Sequence, residues 1–464
     1  MDITPLPLAG LHTHVRHSGI RSVAAGELLQ RLGARVEYHR DLSADITIGP
    51  DGAHADLVGT PLGEVAGLPA GTLAYASGVT LAGAALLALL GGSPVAVEER
   101  AVAVQVLLPL VLAAAYGVEH AEPGGPVAVH DGYVSQDLAG ADDLAAYARM
   151  LDTIERAERV AERVADEGQA WRLPVCPYRT RRAGQSAVVT TTPARTVRTM
   201  SARRAGWAPL AGVRVCDLTA MWAGPLATWL LAEAGAEVVK IESAARPDGM
   251  RAAGSATVDD APMYRALNRR KRIRDLDLRG AAGRVELAGL VRSTDLVIDN
   301  FSRRVMPNLG FSPDRLRVLN PAVATLSMPA FPGGHPWQVA FGPGIHAMCG
   351  LGDVGDGRLA APVVAYPDAL AGLTAFTTCL ATLVAARLGG ASAHREVTLY
   401  ECTARLADLS PASDQVVRRD PALAARLLSD PELADDGWDT TPGFPRAPFA
   451  PSVMSTRTRG QATR

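Results

Sequence analysis

Pro7-Leu8-Ala9-Gly10 recurs as Pro209-Leu210-Ala211-Gly212, a shift of 202 positions. The same shift carries Leu28-Leu29 onto Leu230-Leu231 and Gly33-Ala34-Arg35-Val36 onto Gly235-Ala236-Glu237-Val238. Matches at one offset across an ungapped stretch predict a duplicated unit. The period is too long for a solenoid repeat, so two related domains in one chain of 464 residues are expected. The second copy keeps polar groups that the first has lost, and chemistry is expected there.

Each copy reads as strand, small-residue turn, helix and strand. In the second, Val213–Leu218 is β-like, Ala223-Gly224-Pro225 breaks the pattern, Leu226–Glu233 is helical and Glu237–Glu242 is β-like again. Leu296–Asp299 and Val323–Leu326 continue the alternation. Such alternation predicts an α/β fold: an open, doubly wound parallel sheet of Rossmann-like form in two related copies. Periodic Leu, Ala, Met and Ile over Asp142–Asp166 predict a small helical subdomain closing the first copy.

The formal net charge of −2 argues against a protein built around nucleic acid or an anionic membrane surface. Five cysteines show no C-x-x-C pair and no Cys/His spacing; they read as buried hydrophobes in a reducing compartment, and no metal site is expected. The opening MDITPLPLAG lacks a basic region followed by an apolar run, which predicts no signal peptide and a cytoplasmic location. The stretch between Glu64 and Glu98, like Ala369–Ala386, carries no charge and is rich in small residues. Without basic flanks or aromatic belts, these stretches are expected to be helices buried between layers rather than membrane spans.

Two polar clusters follow strands of the second copy. One holds Gly249, Arg251 and Asn268-Arg269-Arg270-Lys271-Arg272; the other is Asp299-Asn300-Phe301-Ser302-Arg303-Arg304. The carboxyl ends of strands in an open parallel sheet form the ligand crevice, where arginines suit a polyphosphate and Asn300 with Phe301 offers an amide and a stacking face. A solvated basic loop is the alternative for the first cluster. Neither cluster is a GxGxxG or Walker loop, so ordinary NAD or ATP binding is not supported there.

PLAGVRVCDLTAMWAGPLATWLLAEAGAEVVKIE, NRRKRIRDLDL, DNFSRRVMPNLGF and DRLRVLNPAVATLS, in that order, resemble the family III CoA-transferases of CaiB/BaiF type over roughly Pro209–Leu406. Trp171–Pro177 resembles the family's C-terminal segment more weakly. The resemblance implies a chain of four parts: 1–176 a degenerate CoA-transferase-like domain, 177–206 a basic linker, 207–410 the catalytic domain, and 411–464 an extended segment with a disordered end. It implies that Asp368, in Tyr366-Pro367-Asp368-Ala369-Leu370-Ala371-Gly372, is the nucleophile that attacks an acyl-CoA thioester. Coenzyme A is implied as substrate, with no permanently bound cofactor, and a carboxylic acid as acceptor. CoA contacts are implied at Met221, Trp222, Arg272, Asn300 and Phe301, with Arg303 and Arg304 replacing an arginine the family carries where this chain has Asn308. The chain departs from the family pattern at Trp222, at Gly390-Ala391-Ser392-Ala393-His394, and in lacking a glycine-rich shielding loop. An acyl-CoA-binding protein without turnover and an acyl-CoA isomerase or racemase of the same fold remain open, the latter using His346 as second base. Family members form interlocked dimers, so a homodimer or an internal pseudo-dimer is implied.

Overall fold

The computed structural model describes residues 7–62, 64–116, 123–138, 141–179, 190–192, 208–245, 247–251, 261–335, 337–355, 358–388, 393–410 and 446–451. Most of the expected linker, most of the expected C-terminal segment and the Gly390-Ala391-Ser392 turn lie outside them.

The first half opens with strand β1 (His12–Arg16), helix α1 (Ile20–Arg31) and strands β2 (Arg35–His39), β3 (Ile46–Ile48) and β4 (Ala53–Val58). The long helix α2 (Thr72–Gly91), strand β5 (Val95–Glu98) and helices α3 (Glu99–Val106) and α4 (Leu108–Tyr116) follow. A small unit comes next: β6 (Val127–Ala128), β7 (Tyr133–Gln136), α5 (Ala141–Asp152), α6 (Ala161–Ala170) and β8 (Val175–Pro177). Strand β9 (Thr190–Thr192) falls within the expected linker.

The second half runs β10 (Arg214–Leu218), α7 (Ala223–Glu233), β11 (Glu237–Glu242), α8 (Pro262–Asn268), β12 (Arg272–Asp275), α9 (Ala281–Val291) and β13 (Leu296–Asp299). It continues through α10 (Val305–Asn308), α11 (Pro313–Leu319), β14 (Ala324–Ser327), α12 (Gly342–Met348), α13 (Tyr366–Arg387), β15 (His394–Glu396) and α14 (Leu399–Leu409). Strand β16 (Phe449–Pro451) is the last described element.

The second-half sheet has the order β12-β11-β10-β13-β14-β15-β9, with every neighbouring pair parallel except β15–β9. The chain winds outward from β10 through β11 and β12, then crosses back to β13, so this is the expected doubly wound sheet. The first-half sheet, β16-β5-β4-β3-β1-β2, is mixed: β1–β2 and β4–β5 are parallel, whereas β3 runs antiparallel to both β1 and β4. Under the shift of 202, β1 falls on β10 and β2 falls within β11. The small subdomain is not purely helical. Its two helices pack on an antiparallel sheet β6-β7-β8 through Tyr147, Met150, Val164 and Val175.

Helices α2 and α13 are long and apolar enough to cross a membrane, yet 83% and 94% of their apolar windows are buried inside the protein. They pack against each other because small residues let their backbones approach. A Cβ on Gly83 would lie 2.8 Å from the Thr377 hydroxyl, which itself donates to the Val79 carbonyl at 3.1 Å. Those two helices join the halves into one apolar core. The small unit also docks on the second half: the Gln169 side-chain amide oxygen accepts from the backbone N–H groups of Gln338 and Val339, and the Trp337 indole donates to Asp166.

Candidate active site

The winding of the second-half sheet reverses between β10 and β13, and the loops leaving their carboxyl ends face each other there, the usual place for a ligand crevice. Asn300 bridges the two loops. Its amide oxygen accepts from the Ala220 N–H at 2.9 Å, and its NH2 donates to the Ala220 carbonyl at 2.7 Å. Both polar ends of Asn300 are therefore engaged by backbone. Met221 follows in a left-handed conformation (φ 67°), which costs a non-glycine residue about 1 kcal/mol or more. Its N–H is held by Asp248 at 2.9 Å.

Buried charges beneath this loop fix it. Lys240 donates to Asp248 at 2.9 Å and to the Thr219 carbonyl at 2.6 Å. Lys271 donates to Asp217 at 3.1 Å, to the Thr228 hydroxyl at 2.7 Å and to Asn268 at 3.0 Å. Burial pulls the Lys271 amine down to about 8 against the opposing charge of Asp217. Burial alone would raise the Asp217 carboxyl, but Lys271 and Lys240 outweigh it and hold the group low. Charges this deep persist only when paired and fully bonded.

The basic run is thus divided. Lys271 points inward; Arg269 stacks over Trp229 at 4.2 Å and pairs with Glu233; Arg270 also pairs with Glu233. The Arg272 side chain, on the edge strand β12, is 74% exposed. Arg303 pairs with Glu396 and donates to the Phe331 carbonyl, whereas Arg304 is exposed. Phe301 packs partly buried against the Leu287 cluster, and Trp222 is buried in the main core with its indole N–H unpartnered among the described residues.

Asp368 lies in the first turn of α13 and is 9% exposed. One carboxylate oxygen accepts from the Gly342 N–H at 3.1 Å. A second buried carboxylate, Asp137 of the small unit, accepts from the Gly344 N–H at 2.9 Å and from Ser135. The glycines are required by close approach: a Cβ on Gly342 would lie 2.5 Å from the Asp368 oxygen, and one on Gly344 3.2 Å from that of Asp137. Burial, with the neighbouring charge of Asp137, raises the Asp368 carboxyl to about 7. Burial likewise raises Asp137 to about 7. Two carboxyls from opposite halves thus sit at one turn in a dry setting, poised to hold or release a proton near neutrality. Asp137 carries no signal in the sequence, because only the fold brings it to Asp368.

His346 stands on α12, the helix of Gly342 and Gly344, but faces elsewhere. Its Nδ1 meets the Tyr366 hydroxyl at 3.0 Å and its Nε2 the Ala360 carbonyl at 3.2 Å. A carbonyl only accepts, so Nε2 carries the proton and Nδ1 accepts from Tyr366. Burial depresses the ring to about 4, and both nitrogens are occupied. All five cysteines are buried and free, as expected.

The first half has an empty counterpart. Gly78 packs on Arg21 and Ala24 of α1 as Gly372 packs on Ala223 and Leu226 of α7, and both helix positions differ by 202. The long helices therefore correspond with a shift of 372 − 78 = 294, which sets Ala74 opposite Asp368. A cavity of about 70 Å³ opens there, lined by Arg21, Glu64, Leu73, Ala74, Ser77 and Glu99.

A doubly wound α/β unit with a polar switch-point loop and a buried helix-start carboxylate defines a ligand-handling domain rather than a scaffold. Residues 210–426 match the sequence profile of CoA-transferase family III. A succinate–glutarate CoA-transferase of Agrobacterium fabrum is 32% identical over 205 residues, covering 42% of this chain and 51% of that protein. A probable CoA-transferase of Mycobacterium tuberculosis is 31% identical over 255 residues, covering 51% of this chain and 32% of that protein. A CaiB/BaiF family protein of Brucella suis, of known crystal structure, aligns at 27% identity over 43% of this chain and 56% of that one, with a TM-score of 0.39. The chain thus spans about half the length of the first relative and a third of the second.

Proposed function

We propose that this protein transfers CoA from an acyl-CoA to a carboxylic acid through Asp368. The observation that carries the reading is a buried carboxylate at the start of α13, bonded by a single backbone N–H from another residue and held close to its ionisation point, within the family III segment. The ionised Asp368 attacks the thioester carbonyl, forming a mixed anhydride and expelling CoA thiolate. The thiolate attacks the aspartyl carbonyl, giving an aspartyl-CoA thioester and releasing the first acid. The acceptor carboxylate then attacks that thioester, and the thiolate returns to the acceptor's carbonyl, restoring Asp368. Water must be kept out throughout, and burial of the turn supports that. With Asp368 9% exposed, the seam between Gly342-Gly344 and Asp137 has to open for an acyl group to enter.

Arg272 and Arg304, both exposed, are the residues proposed to meet CoA phosphates; Asn300, Met221, Trp222 and Arg303 shape the loop that CoA crosses. In this reading the first half is a silent copy contributing Asp137, the protein works in the cytoplasm, and the pairing of halves takes the place of a dimer. The test is intact-protein mass spectrometry after incubation with a panel of acyl-CoAs and a hydroxylamine quench. A hydroxamate at Asp368, absent from Asp368→Asn, supports transfer. CoA binding with no adduct from any acyl-CoA refutes it and leaves a binding protein.

A further inference from the structure

On the outer face of the first-half sheet, three potential ligand residues converge. His14 stands directly opposite Glu37 in the parallel β1–β2 register, and His39 lies two residues beyond Glu37 on the same face. The His14 Nδ1 is 3.0 Å from the His39 Nε2; a Glu37 oxygen lies 3.8 Å from the first nitrogen and 3.9 Å from the second. A point equidistant from three atoms so separated is about 2.1 Å from each, the bond length of zinc to imidazole nitrogen and carboxylate oxygen. We propose that His14, Glu37 and His39 form a three-ligand site for a divalent transition metal of the zinc class, clipping the edge strand β2 to β1.

Several observations converge on this. The donors are two imidazoles and one carboxylate, the set that suits zinc, with a fourth position left to water. The nearby cations are already engaged: Arg16 pairs with Asp45, and Arg35 lies 3.5 Å from the other Glu37 oxygen, leaving Oε2 toward the histidines. No competing thiol is exposed, since every cysteine is buried. The positions also depart from their counterparts: under the shift of 202, His14, Glu37 and His39 stand where the second half has Cys216, Val239 and Ile241 of an apolar core. Binding requires lone pairs on both facing nitrogens, so each ring carries its proton on its outward nitrogen when the metal is held.

The test is calorimetric titration of untagged, chelator-dialysed full-length protein with zinc chloride. One saturable site per chain is expected, weakened about tenfold or more by His14→Ala, His39→Ala or Glu37→Gln and abolished in the triple variant; His54→Ala and His130→Ala leave it unchanged. Cobalt(II) substitution gives a second readout, an intense visible absorption band of a four-coordinate site that the triple variant loses. The three residues are each about 40% exposed, so the variants are expected to fold, with circular dichroism as the check. No saturable binding to the wild type, or equal binding to the triple variant, overturns the proposal.

Discussion

The two β-α-β units that begin the halves share their backbone course and almost none of their electrostatics. Where the second half buries Asp217, Thr228 and Lys240, the shift of 202 places Val15, Gly26 and Tyr38 in the first. The exchange is concerted: a Cβ on Gly26 would lie 2.2 Å from the Tyr38 hydroxyl, so the aromatic ring occupies room that a side chain such as Thr228 fills in the other unit. The outer faces are also exchanged. Cys216, Leu218, Val239 and Ile241 lie in an apolar cluster with α9, α10 and α11, while His14, Arg16, Glu37 and His39 are left polar at the surface. One backbone course thus carries a loop held by buried ion pairs in one half and an apolar interior in the other.

The largest effect should break the comparison at the proposed nucleophile. Asp368→Asn is expected to lower acyl-transfer kcat by about 10³-fold or more in steady-state assays, whereas Ala74→Asp at the corresponding first-half position restores nothing to it. Removing one partner of a buried pair comes next: Asp217→Ala should cost about 3–5 kcal/mol in urea unfolding, against about 2 kcal/mol for Val15→Ala, which loses only apolar burial.

The third prediction concerns pH. In the proposed transfer Asp368 ionises to attack, so kcat/KM should rise with pH through about 7, and Asp137→Asn should move that limb to lower pH by about one unit, with the hydroxamate at Asp368 retained. Both carboxyls are raised in the folded protein, so their contribution to stability is complete below about pH 4 and declines as pH rises through about 7. Asp137→Asn should flatten that decline in unfolding measured across the range. The smallest effect is expected at the exposed edge, where Arg272→Ala raises the KM for acyl-CoA a few-fold, leaves kcat unchanged and loses its effect in high salt.

Strand positions of the second half were legible because short apolar runs bounded by turns mark buried parallel strands: β10 is buried from Val215 to Leu218 and β13 throughout. Composition and lack of flanking charge likewise marked α2 and α13 as interior helices. Antiparallel β3 escaped the reading, since Ile46-Thr47-Ile48 has no feature that states direction. The sheet of the small unit was missed because its strands are two to four residues long. At the site, Asp368 was offered by the resemblance to family III rather than by its helix-start position, and the basic run stood out as a cluster. The sequence could not tell that Lys271 turns inward to Asp217 while Arg272, the next residue, turns out. Asp137 was invisible for a related reason: the burial and neighbouring charge that make it interesting arise only when the halves meet.

Each of the two larger sheets is finished by a segment from elsewhere in the chain. β9 adds to β15 at one edge, and β16 adds to β5 at the other, with Phe449 stacked on Phe376 at 5.3 Å and the Glu98 N–H bonded to the Pro448 carbonyl. On the ribosome, the sheet that is synthesised first therefore waits longest for closure. Its β5 edge stays open, an invitation to stray pairing, until some 350 further residues have emerged. Folding of the first half is thus tied to the synthesis of residues 449–451, and a chain stopped before them is expected to be held by chaperones or to aggregate rather than to survive as a stable half.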